Sequence, residues 1–401
     1  MRRRTGPLAV LLGLVLVAAG CTGGGSGGAN PAASTDARFT VPTARPAAVL
    51  GPAETALNLV APAGYVESGA DDKLADWVTP FTKATGCRVS VAVASGPDQT
   101  AGLIAAGHYD GVAATGDVAL RLVDQHSVAP VNTALVPNYA GVVPGLRGKP
   151  WYTVGAVSYG VPQGRSANVL TWRTDVVKAP PTSWASVYQS GAAYPGKITA
   201  RDSPDTIADG AVYLRSTRPE LKIRNPYELT KTQLDEVVAL LKKQRAVIGA
   251  YWRDYQQAVP AFRTGQAALG ETNQAIAELI RLSKAPVRST VPAEGTTGTS
   301  TTWMLAAKAK HPNCMYRWMN QMLSPAVNAR SAEWLGIAPA TAAACRHTID
   351  RSWCATFHAT DETFWSKVAM QTAPLIDCRD GRGTTCTNYA AWTAAWKRVV
   401  A

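Results

Sequence analysis

Two carboxylates spaced Asp202-x-x-Asp205 stand in Arg201-Asp202-Ser203-Pro204-Asp205, where the pattern predicts the start of a helix. Acidic side chains at such a start can accept hydrogen bonds from free backbone N–H groups and complement the positive end of the helix dipole. Asp117 follows Thr115-Gly116 at the predicted start of another helix and suits the same role. Groups for covalent or metal chemistry are not arranged for it. The only Gly-x-Ser-x-Gly spacing, Gly24-Gly25-Ser26-Gly27-Gly28, lies in a glycine-rich run with no strand before it, so it is an accident of composition. His108, His126, His311, His347 and His358 sit beside turns or loops without partner spacing. No Cys-x-x-Cys or His/Cys ligand pattern occurs, so no metal site and no cofactor are expected, and no catalytic residue is assigned.

At 401 residues the chain is long enough for two domains with sizeable cores. Its formal charge of +12 would suit an anionic partner, but Lys and Arg are scattered and no basic run interleaves with aromatics. Nucleic acid is therefore not expected as a partner. Arg2–Arg4 followed by the apolar run Pro7–Gly20 reads as an export signal, too short for a permanent span. It ends in Val17-Ala18-Ala19-Gly20-Cys21, and a Gly/Ser-rich stretch, Thr22–Ala33, follows with no capacity to bury a core.

Setting Cys21 aside leaves Cys87, Cys314, Cys345, Cys354, Cys378 and Cys386. An even count in an exported protein favours disulfides. Cys345–Cys354 and Cys378–Cys386 would close short polar loops, which leaves Cys87–Cys314 as a long-range staple.

The elements that would position the acids centre on Trp151–Asp175. Two extended apolar runs, Thr153–Pro162 and Ala167–Trp172, flank the polar Gln163-Gly164-Arg165-Ser166, which predicts a bend between two strands. Before it, strands at Ala56–Ala61, Cys87–Ala94 and Tyr109–Ala114 alternate with helical stretches, the first carrying Leu74, Trp77, Val78 and Phe81 on one apolar stripe. After it come strands at Gly196–Ala200, Ala267–Glu271 and Val287–Val291. Among their helices, one opens on the capping-box pair Thr230 and Gln233, and another turns Ile276, Leu279 and Ile280 inward. Glu294–Ser300 reads as a loop and Thr301–Ala307 as a strand returning to the first set. Alternation of this kind predicts an α/β fold with a mostly parallel sheet in two lobes, two crossings and a cleft between them. The expected organisation is a signal over 1–20, a tether over 21–54, a first lobe over 55–163 and 301–344, and a second over 164–300. A disulfide-rich helical tail, 345–401, is expected to pack on the second lobe, with Trp392 and Trp396 as packing residues.

Ordered motifs then give a resemblance. Tyr65-Val66, Tyr159-Gly160-Val161-Pro162, Thr182-Ser183-Trp184-Ala185, Asp202-x-x-Asp205 and Phe262–Gly270 resemble the spermidine/putrescine-binding family of ABC-importer solute-binding proteins. The likeness runs over about Ala56–Ala344. Val17–Cys21 likewise resembles the lipobox of bacterial lipoproteins, which implies lipid attachment at Cys21 and anchoring to the membrane outside the cytoplasm. The first resemblance implies a two-lobed periplasmic-binding-protein-like fold (type II), capture of a small amine-bearing ligand by closure of the cleft, and delivery to ABC permease subunits by a monomer. It assigns ligand contacts to Tyr65, Thr115, Asp117, Gln163, Asp202, Asp205, Asn273 and Thr301, with carboxylates receiving ammonium groups. The chain departs from the pattern at Pro62, Asn273, Thr299, Thr301 and Arg330, where fewer aromatics, one fewer acid and an added arginine result. A shorter diamine or an amino-acid-like zwitterion therefore competes with spermidine. An exported envelope-anchored hydrolase and an adhesin are the alternatives from other classes.

Overall fold

In the computed structural model, residues 38–189 and 193–401 are described. The signal segment, Cys21 and the tether up to residue 37 lie outside them.

Two parallel three-strand units are built in the same order. Ala56–Ala61 pairs between Arg88–Val93 and Gly111–Ala114, and Ile198–Arg201 pairs between Ile248–Trp252 and Leu269–Asn273. Each unit receives a long antiparallel strand on its third member. Thr296–Ala306 lies against Gly111–Ala114, and Gly160–Arg173 lies against Leu269–Asn273. The two long strands also pair with each other, from Gly298 opposite Ala167 to Met304 opposite Gly160. They are the two crossings of the expected two-lobed α/β fold.

The crossing does not bend at Gln163–Ser166. Gly160–Arg173 is one continuous strand, because both edges of this segment are paired. Gly164 meets Thr301 on one side and Pro339 on the other. The irregularity falls instead in the partner, as a register shift between Thr301 and Thr302. Gly164 is needed for close approach, since a Cβ there would come within 2.4 Å of the Ala338 carbonyl oxygen. Glu294–Ser300 is likewise no free loop, since the return strand begins at Thr296. Its threonines satisfy internal partners: Thr296 donates to the Asn168 carbonyl at 2.9 Å, and Thr297 donates to Asp209.

Two helix expectations shift for local reasons. The first helix begins at Val78 rather than before Leu74, so Leu74 is 57% exposed while Trp77 and Phe81 stay buried. In Gln274–Leu282, Ile276 and Ile280 face the core but Leu279 lies at the cleft margin. The capping box at Thr230 forms as expected, with both reciprocal hydrogen bonds ahead of Lys231–Arg245.

The first lobe's core gathers Leu57, Leu59, Trp77, Phe81, Trp303 and Trp318, with Phe81 edge-on to Trp318 at 5.1 Å. The second lobe's core gathers Ile207, Val237 and Leu241 with Trp392 and Trp396 of the last helix, Tyr389–Val400. All three favoured disulfides form.

The tail is not confined to the second lobe. Val368–Met370 pairs with the return strand at Thr296–Gly298. Arg379 donates to the carbonyls of Pro150 and Thr153, while Asp380 receives its partner from the other side, its N–H donating to Glu228 at 2.8 Å. At the crossing itself, Arg165 is buried, bonds Glu362 at 2.7 Å and the Ala359 carbonyl at 3.2 Å, and lies over the Trp365 ring at 4.3 Å. Glu362 is about half exposed and can be solvated alone, so the loss on removing Arg165 is that of its packing and hydrogen bonds. Arg165→Ala is expected to destabilise the protein by about 1–3 kcal/mol, read as a lower urea midpoint. An unchanged midpoint would show that the tail does not secure the crossing.

Candidate functional site

The carboxyl ends of the parallel strands in both lobes open onto one cleft of about 880 Å³. Loops at such ends are where open α/β sheets place ligands. From the first lobe, Pro62–Tyr65 follows the first strand and Thr115 and Asp117 follow the third. From the second lobe come Arg201, then Trp252–Tyr255, then Asn273 and Ile276. The return crossing contributes Thr299 and Thr301, the helix Pro325–Leu335 contributes Trp334, and the tail contributes Gln371.

Of the residues singled out in the sequence, Tyr65, Thr115, Asp117, Asn273 and Thr301 stand on this lining. The Tyr65 hydroxyl lies 2.8 Å from Thr301 Oγ1, and its ring meets Trp303 edge-on. Thr115 donates to Asp117 Oδ1 at 2.5 Å. Asn273 caps the helix Gln274–Leu282 by accepting from the Ile276 N–H at 2.8 Å. Three others stand off the lining. Gln163 is buried between the crossings, donating to Ser331 and accepting from Trp303 Nε1. Asp202 accepts from Trp396 Nε1 at 2.9 Å and from Arg253 Nε at 2.8 Å. Asp205 is 6% exposed and lies one layer behind. Its Oδ2 accepts from Gln371 Nε2 at 2.7 Å and Ser203 Oγ at 3.1 Å, and its Oδ1 has no hydrogen-bond partner among the described residues. Glu271 and Arg330 also lie off the lining.

Sequence reading missed Trp252, Tyr255 and Trp334, which supply the aromatic surface that the departures at Pro62 and Asn273 had removed. A usable signal existed for two of them. Trp252 ends a strand and Tyr255 opens the next helix, so both sit at a strand's carboxyl end. Tyr255 and Trp334 are 54% and 39% exposed, Tyr255 opening a second-lobe helix and Trp334 lying beside Gly64 of the first lobe.

The electrostatics run against the chain's overall sign. The lining carries carboxylates at Glu67, Asp71, Asp117 and Asp254 against guanidiniums at Arg201 and Arg253, and Arg253 is already held by Asp202. At and just behind the lining, burial is the first cause that raises the carboxyls of Asp117, Asp205, Asp209 and Glu271. Asp117 is pushed up, Asp209 to about 6, and Asp205 to about 7, with the Asp117 charge adding to the effect. Glu271 is held well above the usual range by burial and then by Asp209. Arg201 opposes this by its charge in each case.

These shifts have a sign for folding. The folded protein binds protons on these groups more tightly than the unfolded chain, so their stabilisation is full below about pH 4 and is lost as pH rises through about 6–7. In thermal melts without ligand, the wild-type protein is expected to lose stability from pH 5 to pH 8 relative to Asp205→Asn. Parallel pH profiles for the two proteins would sink this assignment.

Comparisons with known proteins fit this architecture. The family model for bacterial extracellular solute-binding proteins matches residues 76–353. The spermidine/putrescine ABC transporter substrate-binding protein PotD of Streptococcus pneumoniae superposes with a TM-score of 0.67 at 16% identity, over 86% of this chain and 97% of its own. A GABA receptor gives 0.63 at 16% identity, over 85% and 97%. The binding protein MotA of A. tumefaciens B6, in complex with glucopine, gives 0.63 at 13% identity, over 86% and 99%. At these identities the neighbours establish the fold.

Proposed function

The chain belongs to the bacterial extracellular solute-binding proteins, and from that membership we propose that it captures a small, cationic, amine-bearing solute for an ABC importer. The observation that carries the choice of cargo is the cleft itself, rich in carboxylates and aromatics within a chain of net charge +12. Carboxylates suit the N–H donors of an ammonium group, and aromatic faces suit its positive charge. In this reading Tyr65, Thr115, Asp117, Asn273 and Thr301 form the contact set with Trp252, Tyr255 and Trp334. Asp205 supports it from behind, while Asp202 and Gln163 hold the walls. Closure of the lobes would bring Trp334 toward Tyr255 and bury both.

Family members are extracellular, and among the described residues no helix is long and apolar enough to cross a membrane. Lipid attachment at Cys21 would keep the receptor beside its permease partners. Titration calorimetry with putrescine, spermidine, L-ornithine and L-lysine tests the cargo. Saturable heat with at least one of them is expected. No heat with any member of the set would remove the amine reading and leave only the solute-binding family.

A further inference from the structure

Polar groups left without hydrogen-bond partners at the cleft wall specify what a ligand must bring. Asp205 Oδ1 and Gln371 Oε1 are both buried, and neither has a hydrogen-bond partner among the described residues. Both are acceptors. Gln371 is itself 3% exposed, stands on the lining and holds Asp205 Oδ2 through its amide. Buried acceptors of this kind call for a donor-rich group, and a primary ammonium carries three N–H donors.

Arg201 carries the complementary demand. Its side chain is 33% exposed on the lining, and its one ion pair among the described residues is the long contact to Asp205, 3.9 Å between Nη1 and Oδ2. Gln371 and Ser203 occupy that carboxylate oxygen instead. The guanidinium therefore keeps its fork of donors for something else, and a carboxylate matches that fork in shape and charge.

The two demands are adjacent. Resting on the amine reading above, we propose that the cargo bears a carboxylate next to one of its ammonium groups, as in a basic α-amino acid, with Arg201 as the specificity-determining residue. The head group's carboxylate sits on Arg201, and its ammonium sits between Asp117 and the Asp205–Gln371 pair. The remaining cationic end extends toward Glu67, Asp71 and Asp254 past Trp252 and Tyr255. A simple diamine fills the acidic end but places a cation beside Arg201.

L-Ornithine and putrescine test this directly, because they differ only by the carboxylate, and L-lysine and cadaverine form a second such pair. Calorimetry on the wild-type protein is expected to show each amino acid binding at least about tenfold more tightly than its diamine. Arg201→Gln should reverse the order, weakening the amino acids while strengthening the diamines. Arg201→Lys, which keeps the charge without the fork, should fall between the two. Melting curves identify any variant that fails to fold, and the wild-type comparison stands without them. Diamines binding as tightly as the amino acids would overturn the inference and leave the amine reading intact. Equal losses for both classes in a folded Arg201→Gln would overturn it too. Silence from all four compounds would overturn the inference, and silence from spermidine as well would remove the amine reading.

Discussion

Replacing Asp117 by asparagine is expected to weaken capture of a cationic solute by about 2–5 kcal/mol, a loss of roughly 30- to 5,000-fold in affinity. The same change should raise the melting temperature of the ligand-free protein. Both effects follow from one fact. Asp117 is 3% exposed, and burial lifts its pKa despite the Thr115 hydroxyl and the charges of Arg201 and Arg121. An ionised carboxylate held this way is costly without ligand and is the strongest available acceptor for an ammonium. Asparagine keeps the shape and can still accept from Thr115, but it removes the charge. Calorimetry and thermal melts on the same preparation measure the two effects. If affinity were unchanged, Asp117 would be only the first-turn acid of Gly116–Asp124. If both affinity and melting temperature fell, general damage to the fold would be the simpler account.

The Cys87–Cys314 bridge should carry the largest single contribution of any disulfide to stability. Its partners are separated by 227 residues, against 9 and 8 for the two tail bridges. Closing a longer loop removes more freedom from the unfolded chain, and loss of such a bridge costs about 2–5 kcal/mol. The position adds to this. Cys87 precedes the strand Arg88–Val93, and Cys314 lies in the helix Pro312–Met322, so the bridge joins two parts of the first lobe that the whole second lobe separates in sequence. Both cysteines are fully buried in that lobe's core, beside Trp318 and Met315. Cys87→Ala/Cys314→Ala is expected to lower the urea midpoint clearly more than Cys378→Ala/Cys386→Ala does. Equal shifts for the two double variants would show that loop length does not set the contribution here.

Much of this protein was legible before any coordinates. Period-two and helical patterns located the strands and most helices, because each element's burial is written in its own side chains. Ala56–Ala61 forms with the limits expected of it, and so does the Thr230 capping box. The polar residues at the crossing misled for a physical reason. Gln163, Arg165 and Thr296–Ser300 are polar because they hydrogen-bond partners far along the chain, such as Ser331, Glu362 and Asp209. A local pattern registers polarity as exposure and cannot distinguish the two.

The chain's own order thus determined the class of fold, the crossings, the disulfide pairing and several lining residues. Tertiary structure decided which charges face the cleft. Asp202 and Asp205 share a motif four residues long, yet one turns to Trp396 and Arg253 while the other is buried behind Gln371. That separation depends on a tail about 170 residues further on, and on how it packs between the lobes. Spacing fixes which side chains are neighbours on one element, whereas the electrostatic field at a cleft is summed over every element that closes around it.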